Sequence, residues 1–438
     1  MYFLRNLTIV GIISVMLLAS DLLYVFNKNF IVLGNFRYLW APIFIVFVVL
    51  YHNKALTLNS VKYALIFGLL YGLILQNTLW RFSDDWYSRK IYYDIYDMIV
   101  IVLFFSMLFQ KNNPVFWNHL SRLGLLFIVI SGITTIIATH IYPGAVRASY
   151  SSLRIDDELY YSSVKHLGIG SYGYMTAIVA LFPTLIYFYK KGNIDWLNRR
   201  RAIVLTVFLF IVLLYAQIFA NIIVALIILL MAYFGEANFK RNIFVIGLII
   251  IISLIIPKYF WTNSLLNISD YFPSDSNIHY KFVELADYTL TGERFDRANP
   301  IGGRAERYPM LFEAFKASPF FGDASYYSKY DTEMGHGGHL YWMSRLALWG
   351  VFGFLGYLLI LYKIFTPVFN LFDKEFRFYY LLSTLAIIML GFMKALNTTE
   401  IYFILLIIIP GLYMGVRNKD LLLKTNKEKL PILTTAKP

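Results

Sequence analysis

The sequence predicts an all-α, polytopic membrane fold of about twelve spans, and three observations carry that prediction. Of 438 residues, 59% are hydrophobic and 15% charged, with a mean hydropathy of +0.60. A soluble domain would hold about 45–50% apolar and about 25% charged residues. Apolar runs recur from end to end, each about long enough to cross the hydrocarbon core. The basic residues behind the net charge of +13 gather at the ends of those runs, so topology explains most of the charge and no nucleic-acid partner is expected. The chain has no cysteine, which excludes thiolate catalysis, cysteine metal sites and disulfides.

The runs fall near 7–26, 31–51, 59–79, 91–109, 120–141, 171–189, 202–216, 219–234, 243–258, 341–362, 378–393 and 399–416. The first lacks a small-residue cleavage site and reads as a retained span. The stretch 202–234 would be about 50 Å long as one helix, against a bilayer core of about 30 Å, so it reads as two short spans turning at Ala216–Asn221. Lys190, Lys191, Arg199, Arg200 and Arg201 flank one side of that pair and Lys240 and Arg241 the other, which places both flanks in the cytoplasm. An even count then puts both termini and 363–377 inside, and the loops 142–170 and 259–340 outside. The membrane domain covers 1–416, and 417–438 reads as a disordered cytoplasmic tail.

Within the large loop, Tyr308, Leu311, Phe312 and Phe315 recur at helical spacing, with Glu306, Glu313 and Lys316 off that stripe. Pro309 suits a first turn and Ser318-Pro319 a stop, which would set Arg304 and Arg307 at or just before a helix N-terminus. Backbone N–H groups and guanidinium forks there suit a phosphate. At the membrane re-entry stands Gly335-His336-Gly337-Gly338-His339-Leu340-Tyr341-Trp342, where an imidazole can exchange a proton near neutral pH or simply mark a helix start. In the smaller loop, Arg147, Arg154, Lys165 and His166 run against the positive-inside trend and lead into Gly168-Ile169-Gly170-Ser171-Tyr172-Gly173. They suit an anionic ligand, or pairing with Asp156, Asp157 and Glu158. The loop aromatics, among them Tyr160, Tyr326 and Trp342, suit interface anchors, and some of them sugar stacking. Asp323, Asp331, Glu333, His336 and His339 lack the spacing of a zinc or EF-hand motif, so no metal site is expected.

Together these residues resemble the O-antigen polymerase and ligase superfamily. Its signature runs Gly-Arg, an aromatic four residues on, Pro-x-x-Gly, and a His eleven residues before Gly-x-x-Gly. Here Gly303-Arg304, Tyr308, Pro319 to Gly322, and His339 before Gly350 to Gly353 keep that order and spacing. Arg154 and Gly170 resemble an arginine-to-glycine spacing in the polymerases' outer loops. The chain departs from the pattern at Ala220-Asn221, where members often carry Ser-Arg, and at Leu340, where they often carry Asn. Gln217 and Asn221 are the polar groups near the first departure.

The resemblance implies an inverting glycosyltransferase that polymerises polyprenyl-diphosphate-linked oligosaccharide repeats, with that glycan as both donor and acceptor, without cofactor or metal. It implies His339 as general base, with His336 second. It implies Arg304 as the first diphosphate ligand, followed by Arg154, Arg147 and Arg307. The setting would be the outer face of the cytoplasmic (inner) membrane, among membrane lipid and with flippase and chain-length regulator proteins as partners. An O-antigen ligase, transferring the glycan to a lipid A core, is the alternative within the class. A lipid-linked-sugar flippase or other transporter is the alternative outside it. That last reading calls for charges deep within spans, whereas Asp21, Arg37, Asp97, Lys394 and Glu400 stand near predicted ends.

Overall fold

The computed structural model describes residues 7–18, 31–79, 86–142, 144–148, 167–192, 194, 196–235, 257–272, 274, 277–291, 300–322, 340–394, 396 and 398–417. Among these the chain is helical, with an isolated bridge between Ile194 and Leu197 and no strand. In order the helices are α1 (Leu7–Leu18), α2 (Ile31–Tyr51), α3 (Asn59–Leu79), α4 (Trp86–Lys111), α5 (Pro114–Ile141) and the short α6 (Ala145–Ala148). There follow α7 (Tyr172–Lys191), α8 (Arg199–Ala216), α9 (Phe219–Phe234), α10 (Lys258–Ser269), α11 (Asn277–Thr291) and α12 (Pro300–Ala317). The last three are α13 (Tyr341–Leu371), α14 (Lys374–Met393) and α15, which starts at Thr398–Phe403, passes through a π turn at Ile404–Ile408 and runs on to Arg417.

Local chemistry sets these boundaries. Asn113, Ser171, Asn198 and Asp373 stand just before α5, α7, α8 and α14, and each side chain accepts the backbone N–H three residues on. Gln217 adopts φ +54 between α8 and α9, so the 33-residue apolar stretch breaks into two helices where the polar residues interrupt it.

Five helices among the described residues are long and apolar enough to cross a membrane: α5, α7, the Trp349–Leu371 part of α13, α14 and Thr399–Arg417. Pro42–Tyr51, Asn59–Leu70, Met98–Lys111 and Phe219–Phe234 are shorter apolar helices. Outward-facing side chains such as Leu69, Val204 and Leu50 are about two-thirds exposed, the surface of a bundle solvated by lipid tails. The fold is that of a helical membrane protein. The apolar windows of α7 and α15 are 89% and 100% buried, so these two helices form its centre. The run 243–258 lies outside the described residues as far as 256, and helix α10 begins at Lys258.

Hydrogen bonds gather the helix ends at two poles. At one, Asn118 on α5 donates to the Gly411 carbonyl, Trp196 donates to Asn118, and Lys191 pairs with Glu375 at 2.9 Å. Arg417 lines a cavity there with Asn113 and Leu371. At the other pole, Gly170 meets Thr135, Ser171 meets Glu400, and Asn221 meets Lys394. We call them the Arg417 pole and the Lys394 pole.

Two expectations are corrected. Helix α12 starts at Pro300 and carries Pro309 inside it, so Arg304 and Arg307 lie in its second turn or later, not ahead of its N-terminus. Pro300 fills the first-turn role that Pro309 was expected to fill. Helix α13 runs nine residues beyond the expected end at 362, as far as Leu371, so the segment 363–377, expected as an inside loop, is largely helical. Its regularity breaks once, at Gly350, where φ is +62 and ψ −174.

Candidate functional site at the Lys394 pole

The site begins with the start of α7. Ser171 caps that helix, accepting from the Tyr174 N–H at 2.9 Å, and its hydroxyl donates to Glu400 Oε1 at 3.0 Å. Glu400, only 1% exposed, therefore rests its carboxylate at a helix N-terminus, where the macrodipole favours negative charge. The approach is close: a Cβ at Gly173 would stand 2.3 Å from Glu400 Oε1, so any larger residue there would displace the carboxylate.

Lys394 follows α14 directly. It is 6% exposed, and its Nζ donates to Asn221 Oδ1 at 2.5 Å while standing 5.8 Å from the Tyr172 ring centre. Asn221 is fully buried in the first turn of α9, and its Nδ2 has no hydrogen-bond partner among the described residues. A buried donor of that kind is suited to an incoming acceptor oxygen.

The re-entry of the chain at α13 is tied to this layer. The Tyr341 N–H donates to the Lys394 carbonyl at 3.3 Å, and Trp342 Nε1 donates to the Ile388 carbonyl at 2.9 Å. One turn further on, the Arg345 guanidinium stacks 3.3 Å from the centre of the Tyr341 ring, with Trp349 and Tyr357 within 6 Å. Tyr341 and Tyr357 share a hydroxyl–hydroxyl bond of 2.7 Å. Helix α12 reaches the same pole, because the Tyr308 hydroxyl donates to the Phe392 carbonyl, two residues before Lys394. Partial burial raises the Tyr308 phenol above its usual range and keeps it a neutral donor. Arg304 precedes Tyr308 by four residues, about one helical turn.

The segments Pro319–Gly322 and Gly350–Gly353 lie against each other through their backbones. Gly350 turns the chain out of the helical ladder, and the freed N–H groups of Val351 and Phe352 donate to the Pro319 and Phe320 carbonyls at 2.8 and 3.2 Å. A Cβ on Gly350 would lie 2.4 Å from the Phe320 carbonyl carbon. The two glycine motifs thus join the end of α12 to the middle of α13.

Of the residues expected to act, Arg304 and Arg307 belong to α12 and Arg147 to α6. Arg154, His336 and His339 lie outside the described residues, as do Asp323, Asp331 and Glu333. Lys394, Glu400 and Arg345 were not singled out by the sequence as site residues. Their signal was nonetheless present. Lys394 falls between the last two apolar runs, Glu400 is the second residue of the last one, and Arg345 is the charge near the start of the run 341–362. In chemical terms the pole offers a buried ammonium, a buried amide donor and a carboxylate, a set suited to holding a phosphate oxygen and a nearby hydroxyl. No protein-family model, curated protein or solved structure matches the chain.

Proposed function

We propose that the chain is an inverting glycosyltransferase that polymerises polyprenyl-diphosphate-linked oligosaccharides at the outer face of the cytoplasmic membrane, with the Lys394 pole facing outward. The observation that carries this reading is the contact of Lys394 with Asn221. Asn221 stands at the turn where the resembled family often has arginine, and a cation arrives at that same place from another helix. Lys394 would supply the charge that Asn221 lacks, and the free amide donor of Asn221 a second contact to the diphosphate. Helix α12, docked beside them through Tyr308, would bring Arg304 and Arg307 to the same leaving group.

In this mechanism an acceptor hydroxyl attacks the anomeric carbon, the bond to the diphosphate oxygen breaks, and the configuration inverts. Cationic groups stabilise the charge that grows on the departing diphosphate, an effect strongest where water is excluded. His339, two residues before Tyr341 in sequence, takes the acceptor proton. Polymerase and ligase differ in the acceptor, a second lipid-linked glycan or a lipid A core. The arginines of the smaller outer loop favour the polymerase.

A transporter is the second reading, favoured by the burial of Lys394 and Glu400, since buried ionisable groups in membrane proteins often line a pathway. One reconstitution separates the readings. Purified protein in lipid vesicles receives a polyprenyl-diphosphate glycan, and products are resolved by length. A ladder of longer glycans supports the polymerase, transfer only to lipid A core supports the ligase, and relocation of unchanged glycan supports the transporter. Sidedness is read separately with Ser274→Cys and Lys374→Cys, which the cysteine-free background allows. An impermeant thiol reagent outside intact spheroplasts should label position 274 and spare 374; the reverse pattern overturns the assignment.

A further inference from the structure

The Arg417 pole carries an open groove of about 500 Å³ beside α5, lined by His119, Arg122, Leu123, Leu126, Val129 and Trp196 among others. Its lining changes character along its length. His119, Arg122, Leu126 and Val129 follow one another at intervals of three, four and three residues, so they share one face of α5 over about 15 Å. The end nearest the pole is exposed, with the cation of Arg122 and the imidazole of His119, and the far end is apolar, with Leu126 about half exposed on the bundle wall.

The aromatic wall is built rather than incidental. Trp196 donates from Nε1 to Asn118 Oδ1 at 3.1 Å, Asn118 donates to the Gly411 carbonyl at 3.0 Å, and Arg201 donates to the Trp196 carbonyl at 3.0 Å. Three helices therefore hold the indole in place, and the Arg122 guanidinium stands 5.5 Å from its ring centre. The segment 190–201, which carries Trp196, holds Lys190, Lys191, Arg199, Arg200 and Arg201 against one acidic residue of its own, Asp195; with Lys191 paired to Glu375, it remains net positive.

A cationic mouth continuous with an apolar channel on the outer wall of a membrane bundle matches one kind of ligand, a molecule with a negative head and a hydrocarbon tail. We infer that this groove binds an anionic phospholipid, its headgroup phosphate at Arg122 and His119 and one acyl chain along Leu123, Leu126 and Val129. A small phosphate would use only the mouth. A zwitterionic lipid brings the same phosphate but also a quaternary ammonium, which the surrounding arginines disfavour. The inference stands apart from the reaction proposed above, since the groove lies at the opposite pole.

The test titrates the purified full chain in uncharged detergent with phosphatidylglycerol and with phosphatidylcholine, counting bound lipid by native mass spectrometry. The parent should retain phosphatidylglycerol in preference to phosphatidylcholine. Arg122→Ala should weaken that binding about fivefold, the effect of one basic residue on an anionic headgroup. Trp196→Leu should weaken it too, while a substitution of the exposed Lys374, at the same pole but off the groove, should leave it unchanged. Equal retention of the two lipids overturns the site, as does an Arg122→Ala variant that binds like the parent. Glycerol phosphate, the headgroup without chains, should fail to displace the lipid at equal concentration. Displacement would reassign the mouth to a free phosphate ester and overturn the lipid assignment. Arg122 is exposed, so its replacement leaves the core packing intact; His119→Ala provides a second variant with the same expected direction.

Discussion

Lys394 donates from Nζ to Asn221 Oδ1 at 2.5 Å, joining the end of α14 to the first turn of α9 across 173 residues of sequence. A lysine this deeply buried requires such a partner, and the same contact, made at Oδ1, leaves the Nδ2 amino group of Asn221 to spare. Replacing Lys394 with Gln keeps a hydrogen-bonding side chain and removes the charge. Affinity for the diphosphate donor should fall roughly tenfold to a hundredfold, the range for a hydrogen bond to a charged group. Donor binding measured on folded, reconstituted protein checks this. Unchanged affinity with a lowered unfolding temperature would make Lys394 a tie between helices and nothing more.

Arg304→Lys should lose most of the polymerising activity although it keeps the charge, because one ammonium cannot reproduce the two-pronged contact of a guanidinium with phosphate. Glycan ladders scored by length are the measurement. Ladders of normal length would remove Arg304 from the diphosphate site.

His339→Ala should lower turnover by about 10²–10⁴, the usual contribution of a general base, with donor affinity little changed. His336→Ala is the comparison. Equal turnover of parent and His339→Ala would pass the role to His336 or to neither.

Gly350→Ala should destabilise the fold by about 1–3 kcal/mol, because φ is +62 there and the new Cβ would meet the Phe320 carbonyl at 2.4 Å. Gly356→Ala lies on the same helix with nothing within 4 Å of the added carbon, and should be neutral or slightly stabilising. Unfolding midpoints for the pair give the contrast. Equal midpoints would mean that the Gly350 turn does not bind α13 to the loop.

His52, between α2 and α3, has its pKa lowered first by burial and second by the nearby charge of Lys111. The folded state thus favours the neutral ring. Its contribution to stability is complete above the unfolded value of about 6.5 and is lost as pH falls through the lower folded value. His52→Gln should therefore flatten the acid side of a stability-against-pH curve and leave the part above about pH 7 unmoved. A variant whose acid branch follows the parent's would remove His52 from the linkage.

Much of the architecture can be read from residues next to each other in sequence. Ala216-Gln217-Ile218 breaks a run too long for one span, and Asn113, Ser171, Asn198 and Asp373 cap helices within one turn of themselves. The start of α12 could not be read that way. Gly302 and Gly303 each disfavour helix by about 1 kcal/mol, so local propensity places a loop where the helix has already begun, at Pro300. The Lys394 pole was hidden for a related reason. Lys394 and Glu400 sit near run ends, where charge is ordinary, and only the convergence of α7, α9, α14 and α15 shows that both are buried. The order and spacing of the glycine motifs were visible, whereas their mutual contact is a tertiary fact.

The π turn at Ile404–Ile408 gives α15 one more residue than a regular helix would need between Glu400 and Gly411, and the Ile407 carbonyl accepts from both Trp117 and Ser121 at 3.0 Å. The insertion works as a phase shifter. Deleting one residue within 404–408 would let the ladder close as a plain α-helix and rotate one half of α15 against the other by about 100°. With the Gly411 half fixed against α5, Glu400 would swing away from Ser171 without either side chain being altered.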